Sequence, residues 1–190
     1  MTRVSKVIYI TLTIICGLWL LPQVVQSKES RLNVTESGNI YLTLVFGDES
    51  AKMNHSDAED YCQNIGKRHN ATGSIRVESH LVSYHDPQIV GLTMRWVSKL
   101  ENRQFWIGCL ITTVIHRGRK RFFMNWTDKT RANFNYLYEP EVTLRGMRDG
   151  ETRCCDTEYT SGRWGVSKCD KKMYALCETR IIDEDAMLKE

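Results

Sequence analysis

Residues 153–178 read RCCDTEYTSGRWGVSKCDKKMYALCE. Short strands are expected around Cys155, around Trp164 and over 174–178, separated by polar turn residues. Cys154 and Cys155 are neighbours on one expected strand, so their side chains point to opposite faces and need different partners. Working outward, the remaining cysteines are Cys16, Cys62 and Cys109. No Cys-x-x-Cys pair occurs, which argues against structural zinc. Leaving out Cys16, which lies in an apolar leader, six cysteines remain. An even number in an exported chain reads as a disulfide framework.

The N-terminus supports export. Arg3 and Lys6 make a positive region, 7–21 is largely apolar, and Pro22 breaks the run. Val25 and Ser27 are small enough for the −3 and −1 positions of a signal-peptidase site, so 1–27 reads as a signal peptide. The alternative is an uncleaved anchor, since 7–25 is just long enough to span a bilayer. Asn33, Asn54, Asn70 and Asn125 each begin an Asn-x-Ser/Thr triplet. Asn33 and Asn70 lie in polar surroundings, whereas Asn125 precedes a core-like Trp126. The reading is therefore a secreted, extracellular glycoprotein.

Of the 190 residues, 42% are hydrophobic and 26% charged, enough apolar material for a core. Net charge is +3, and Arg3 and Lys6 supply two of those charges. Without them the chain is nearly neutral, so no global field points to nucleic acid. The stretch 28–39 is polar and reads as a loose extension. A strand is expected over 40–46 and a helix from Ser56 to Gly66, with Ala58, Tyr61, Cys62 and Ile65 on one face. A short strand-like run covers 80–84. A second helix opens at Asp86-Pro87 and continues to Leu100. Strands at 105–115 and 121–126 flank a basic turn at 116–120. The segment 129–152 lacks periodicity, and a stretch that long is functional or disordered. Residues 181–190 form a charged tail. This order is an α+β pattern.

Several of these residues, taken in order, resemble the signature of the C-type lectin-like domain family. They are Ala58-Glu59 before Cys62, His80-Leu81-Val82-Ser83, Trp106-Ile107-Gly108, Trp126-Thr127-Asp128, and then Cys155, Trp164, Cys169 and Cys177-Glu178. The resemblance covers about 40–180. It implies two helices, two small antiparallel sheets, chain ends that meet, and a long irregular loop region that carries ligand binding. It also implies bridges Cys62–Cys177 and Cys155–Cys169. The first would close a loop of about 115 residues, worth more than ~4 kcal/mol by chain entropy. Cys109 and Cys154 remain, either as a third bridge or as a buried thiol and an exposed one. The extra N-terminal hairpin bridge of long-form members has no cysteines here.

Sugar-binding members hold calcium in the long loop, and calcium needs six to eight oxygen ligands. The resemblance assigns these to a Glu-Pro-Asn triplet, a Glu two places before a bridging cysteine, and a Trp-Asn-Asp triplet. This chain has Glu139-Pro140-Glu141, Arg153 and Trp164-Gly165-Val166 at those places. Glu139 and Glu141 keep ligand chemistry; Arg153 brings the wrong charge; Gly165 and Val166 bring no side-chain oxygen. Asp149 and Glu151 are the carboxylates that could substitute. Glu59 and Glu178, beside Cys62 and Cys177, resemble an auxiliary calcium site; the alternative is two solvated carboxylates.

His116, Arg117, Arg119, Lys120 and Arg121 form the densest charge in the chain. They suit a sulfated glycan, an anionic lipid surface or an acidic partner, or are simply a solvated turn. Trp96, Trp106, Trp126 and Trp164 read as core. No hydrolase, zincin or phosphate-loop motif occurs, and the histidines pair with nothing, so no enzyme is expected. The expected function is a lectin-like module binding an extracellular protein or glycan through 134–153, without the usual calcium site. The alternative is a carbohydrate-binding lectin using a remodelled calcium site at Glu139 and Glu141, or the basic turn. A self-associating role through Cys154 is weaker.

Overall fold

A computed structural model describes residues 28–34, 39–69, 75–98, 104–133, 135–137, 144–157 and 163–183. The expected signal peptide, Asn70, Glu139, Glu141 and the tail beyond Asp183 lie outside the described residues. Among the described residues no helix is long and apolar enough to cross a membrane.

Among the described residues, eight strands and two α-helices follow in chain order: β1 (Lys28–Asn33), β2 (Ile40–Phe46), α1 (His55–His69), β3 (Ile75–Leu81), α2 (Pro87–Val97), β4 (Phe105–His116), β5 (Arg119–Trp126), β6 (Thr152–Thr157), β7 (Trp164–Ser167) and β8 (Tyr174–Asp183). β8 pairs antiparallel with both β2 and β3, so the start and end of the domain meet. β4 pairs antiparallel with β5 and β6, and β6 with β7. Two parallel rungs, Phe105–Tyr174 and Trp106–Ala175, join these antiparallel groups into one sheet.

The first part of the stretch expected to be a loose extension, 28–33, forms a strand instead. Residues 28–33 pair with β2 along their whole length. An edge strand needs only backbone partners, so exposed polar side chains do not prevent it. The short strand expected at 80–84 lies earlier, at Ile75–Leu81.

Alternation along β4 divides the interior. Phe105, Ile107, Cys109 and Ile111 face the larger core with Trp126, Tyr84, Cys155 and Trp164. Trp106 and Leu110 face the smaller core under α1, with Ala58, Cys62, Ile65 and Cys154. Gly108 sits where a Cβ would come within 2.7 Å of the Leu81 carbonyl and of Thr127 Oγ1. Only glycine lets β4 lie that close to the end of β3.

The caps are local. Asn54, not Ser56, caps α1: Asp57 N–H donates to Asn54 Oδ1 at 2.8 Å. Asp86 caps α2 through Gln88 N–H at 2.8 Å, with Pro87 in the first turn. α2 buries Val90, Thr93 and Val97 but leaves Leu92 exposed. Trp96 is only half-buried, unlike the other three tryptophans assigned to the core.

Candidate binding surface

Three disulfides close the domain: Cys62–Cys177, Cys109–Cys155 and Cys154–Cys169. The first is the bridge the resemblance implied. The other two exchange partners relative to the expected Cys155–Cys169 and Cys109–Cys154. The reason is strand register. Leu110 lies opposite Cys154, which sets Cys155 opposite Cys109 on the larger-core face. Cys154 points to the α1 face, where Cys169 waits at the end of its loop. The adjacent cysteines do face opposite ways, but each takes the partner assigned to the other.

This exchange moves the calcium comparison by one residue. The place two before the bridging cysteine is Thr152, not Arg153. Thr152 Oγ1 is in a hydrogen bond with Thr112 Oγ1 at 2.9 Å across β4. Arg153 Nε instead donates to Glu151 Oε1 at 2.7 Å. Glu151 also accepts from Arg148 N–H, and that bond, with Arg153, holds its carboxyl below the usual range. Asp149 Oδ1 accepts from Ile115 N–H at 2.7 Å. Both loop carboxylates that could have replaced missing ligands are therefore engaged by the domain itself.

At the Trp164-Gly165-Val166 place the obstacle is steric. A Cβ on Gly165 would lie 2.7 Å from Asp156 Oδ1. Asp156 is directly opposite Gly165 on β6 and is buried. An oxygen-bearing side chain cannot be seated there without displacing a buried carboxylate. Val166 packs against the larger core. Among the described residues no three His, Cys, Asp or Glu side chains are grouped to hold a metal. The described residues at the family's calcium places do not fit the ion.

The Glu59–Glu178 region is a small cleft rather than a pair of solvated carboxylates. Glu59 Oε1 accepts from His80 Nδ1–H at 2.7 Å and Gln63 Nε2–H at 2.9 Å. Its Oε2 accepts from Leu81 N–H and Thr127 Oγ1–H, each at 2.9 Å. Burial opposes ionisation, but these four bonds hold the Glu59 carboxyl below its usual range. His80 is raised, chiefly by its bond to Glu59. Glu178 is paired with Arg180, which also reaches Asp128 at 3.9 Å. Burial nevertheless pushes the Glu178 carboxyl up. Glu78, His80, Asp128, Glu178 and Arg180 line a cavity of about 120 Å³. The Arg180 guanidinium and the Glu59-bonded His80 ring sit among these acids.

The basic cluster forms a tight hairpin. Arg117 (φ 52°) and Gly118 (φ 73°) are its two turn residues, between β4 and β5. Positive φ at both is the two-residue hairpin geometry that suits the twist of the strands. Arg117, Arg119 and Arg121 are exposed. Lys120 turns back, donating to the carbonyls of Arg145 (3.0 Å) and Met147 (2.7 Å). The described parts of the long loop thus lean on this hairpin.

The profile of the family described as the lectin C-type domain matches residues 51–179. The chain belongs to the C-type lectin domain family. No curated protein matches it. Among solved structures, human lithostathine superposes with a TM-score of 0.55 at 15% identity, covering 83% of this chain and 94% of that one. The C-type lectin CEL-I from Cucumaria echinata gives a TM-score of 0.53 at 15% identity, covering 87% and 99%. At such identity these likenesses speak for the fold.

Within this C-type lectin domain, sequence reading missed three residues that shape the site. His80 belongs to a sequence motif, but nothing in the sequence shows its bond to Glu59. Thr127 holds a motif position, but nothing there shows its hydroxyl on Glu59. Asp156 gave no signal, because its proximity to Gly165 depends on β6–β7 pairing. His55 is also structural: its Nε2–H donates to the Ile107 carbonyl at 2.9 Å, and burial lowers its pKa. Of the glycosylation candidates, Asn33 and Asn125 are exposed, while the Asn54 amide donates to Asp57 Oδ2 at 2.8 Å.

Proposed function

We propose that this C-type lectin domain is a secreted extracellular module that binds a protein or glycan ligand through the surface of 134–153, without the customary calcium-dependent sugar site. The observation that carries this reading is the contact between Gly165 and Asp156. That place cannot take a ligating side chain while Asp156 stays where it is. Support comes from Thr152 and Arg153, neither of which offers a carboxylate. Glycan and protein-ligand screens with the purified secreted protein, each run in calcium and again in EDTA, test it. Every ligand found is expected to be retained in EDTA. Binding that appears only in calcium would overturn it and would direct attention to Glu139 and Glu141.

A further inference from the structure

The β4–β5 hairpin runs on past the last rung that β6 makes with β4, Thr112–Thr152. Its outer rungs are Val114–Arg121, Ile115–Lys120 and His116–Arg119. No Asp or Glu occurs anywhere from Phe105 to Thr127. Arg117, Arg119 and Arg121 form no ion pair with a described carboxylate. The same tip exposes large apolar side chains: Val114 38%, Ile115 47%, Phe122 40% and Phe123 51%.

Their distribution is what distinguishes possible partners. Directly paired residues share a face, so Val114 lies with Arg121, and Phe123 with Thr112, on one face of the ribbon. Ile115 and Phe122 lie on the other, with Lys120 and Thr113. A sulfated chain would be satisfied by the arginines and would leave both phenylalanines in water. A folded partner covers one face. A bilayer interface surrounds a ribbon tip on both faces, taking up apolar side chains while phosphates meet the arginines.

We propose that the β4–β5 hairpin docks this domain on anionic lipid bilayers, with Phe122, Phe123, Val114 and Ile115 entering the interface and Arg117, Arg119 and Arg121 meeting lipid phosphates. The hairpin is braced for this. Lys120 holds it to the carbonyls of Arg145 and Met147, and Asp149 holds the Ile115 N–H. A pre-set geometry lowers the ordering cost of binding. Arg117 occupies a positive-φ turn position that asparagine or glycine would take with less strain, and there it is the outermost charge. The proposal does not depend on how 134–153 is used.

The test is co-sedimentation of the full secreted protein with phosphatidylcholine vesicles, with and without about one-third phosphatidylserine, at low and high salt. Binding is expected to the anionic vesicles only and to weaken with salt. Arg117→Gln, Arg119→Gln and Arg121→Gln should each lower the partition coefficient about fivefold. Phe122→Ser with Phe123→Ser should abolish sedimentation outright. These side chains are exposed, and matching thermal melts confirm that the variants fold. Equal binding to neutral vesicles, no vesicle binding, or undiminished binding by the phenylalanine variant overturns the proposal. Capture on immobilised heparin that needs the arginines but not the phenylalanines, without vesicle binding, would assign the hairpin to sulfated glycans instead.

Discussion

A Cβ on Gly165 would meet the buried Asp156 carboxylate, so the proposed loss of the calcium site can be tested at this one residue. Gly165→Asn, which restores the family's residue, should destabilise the fold by about 1–3 kcal/mol through overpacking. It should do so without conferring calcium binding. Urea unfolding checks the first expectation. In an Asp156→Ala background the same substitution should cost measurably less, because its steric partner is gone. Equal costs in both backgrounds would place the strain elsewhere. His80 and Glu59 give a second prediction at this scale. Glu59 is lowered from its ordinary 4.5, so its contribution is present above that pH and lost as pH falls through the folded value. His80 is raised from its ordinary 6.5, so its contribution is full below that pH and lost as pH rises through the folded value. The pair stabilises most between about pH 4.5 and 6.5. His80→Gln can keep the hydrogen bond but loses the charge. Melting curves across pH 5–9 should show wild type losing its advantage over this variant as pH rises above 6.5. A constant difference would contradict the pairing.

At the scale of the element, β4 and β6 decide the disulfides. Cys155→Ser should leave Cys109 as the free thiol, readily identified by alkylation after unfolding and peptide mass mapping. Finding Cys169 labelled instead would restore the pairing that the resemblance implied. That distinction was not legible in the sequence. Adjacent cysteines announce opposite faces, but which face meets β4 depends on a register that shifts between Trp106 and Leu110. β1 was equally hidden, since an edge strand of polar residues has no apolar alternation to reveal it. By contrast, α2 was plain from Asp86-Pro87, and the hairpin from a basic, glycine-containing turn between two β-rich runs. Local chemistry writes caps and turns into the sequence; cross-strand register is written only in the packing.

For the whole molecule, the order of Cys62, Trp106-Ile107-Gly108, Trp164, Cys169 and Cys177 was enough to indicate the fold, because these residues build the junctions of the sheet. Trp106 fills the space under α1, with His55 edge-on at 5.3 Å and its Nε1–H on the Met53 carbonyl. Trp164 stacks on Tyr84 at 5.8 Å in the larger core. The site was half legible. Missing ligand oxygens could be counted, but the engagement of Glu59, Asp149 and Glu151 by their own neighbours could not. The most direct check on calcium-independence is the melting temperature of the purified protein in millimolar calcium and in EDTA. A ligand present at 100 times its dissociation constant stabilises the folded state by about 2.7 kcal/mol, a shift of several degrees. The same melting temperature is expected in both conditions. A calcium-dependent rise of several degrees would contradict it.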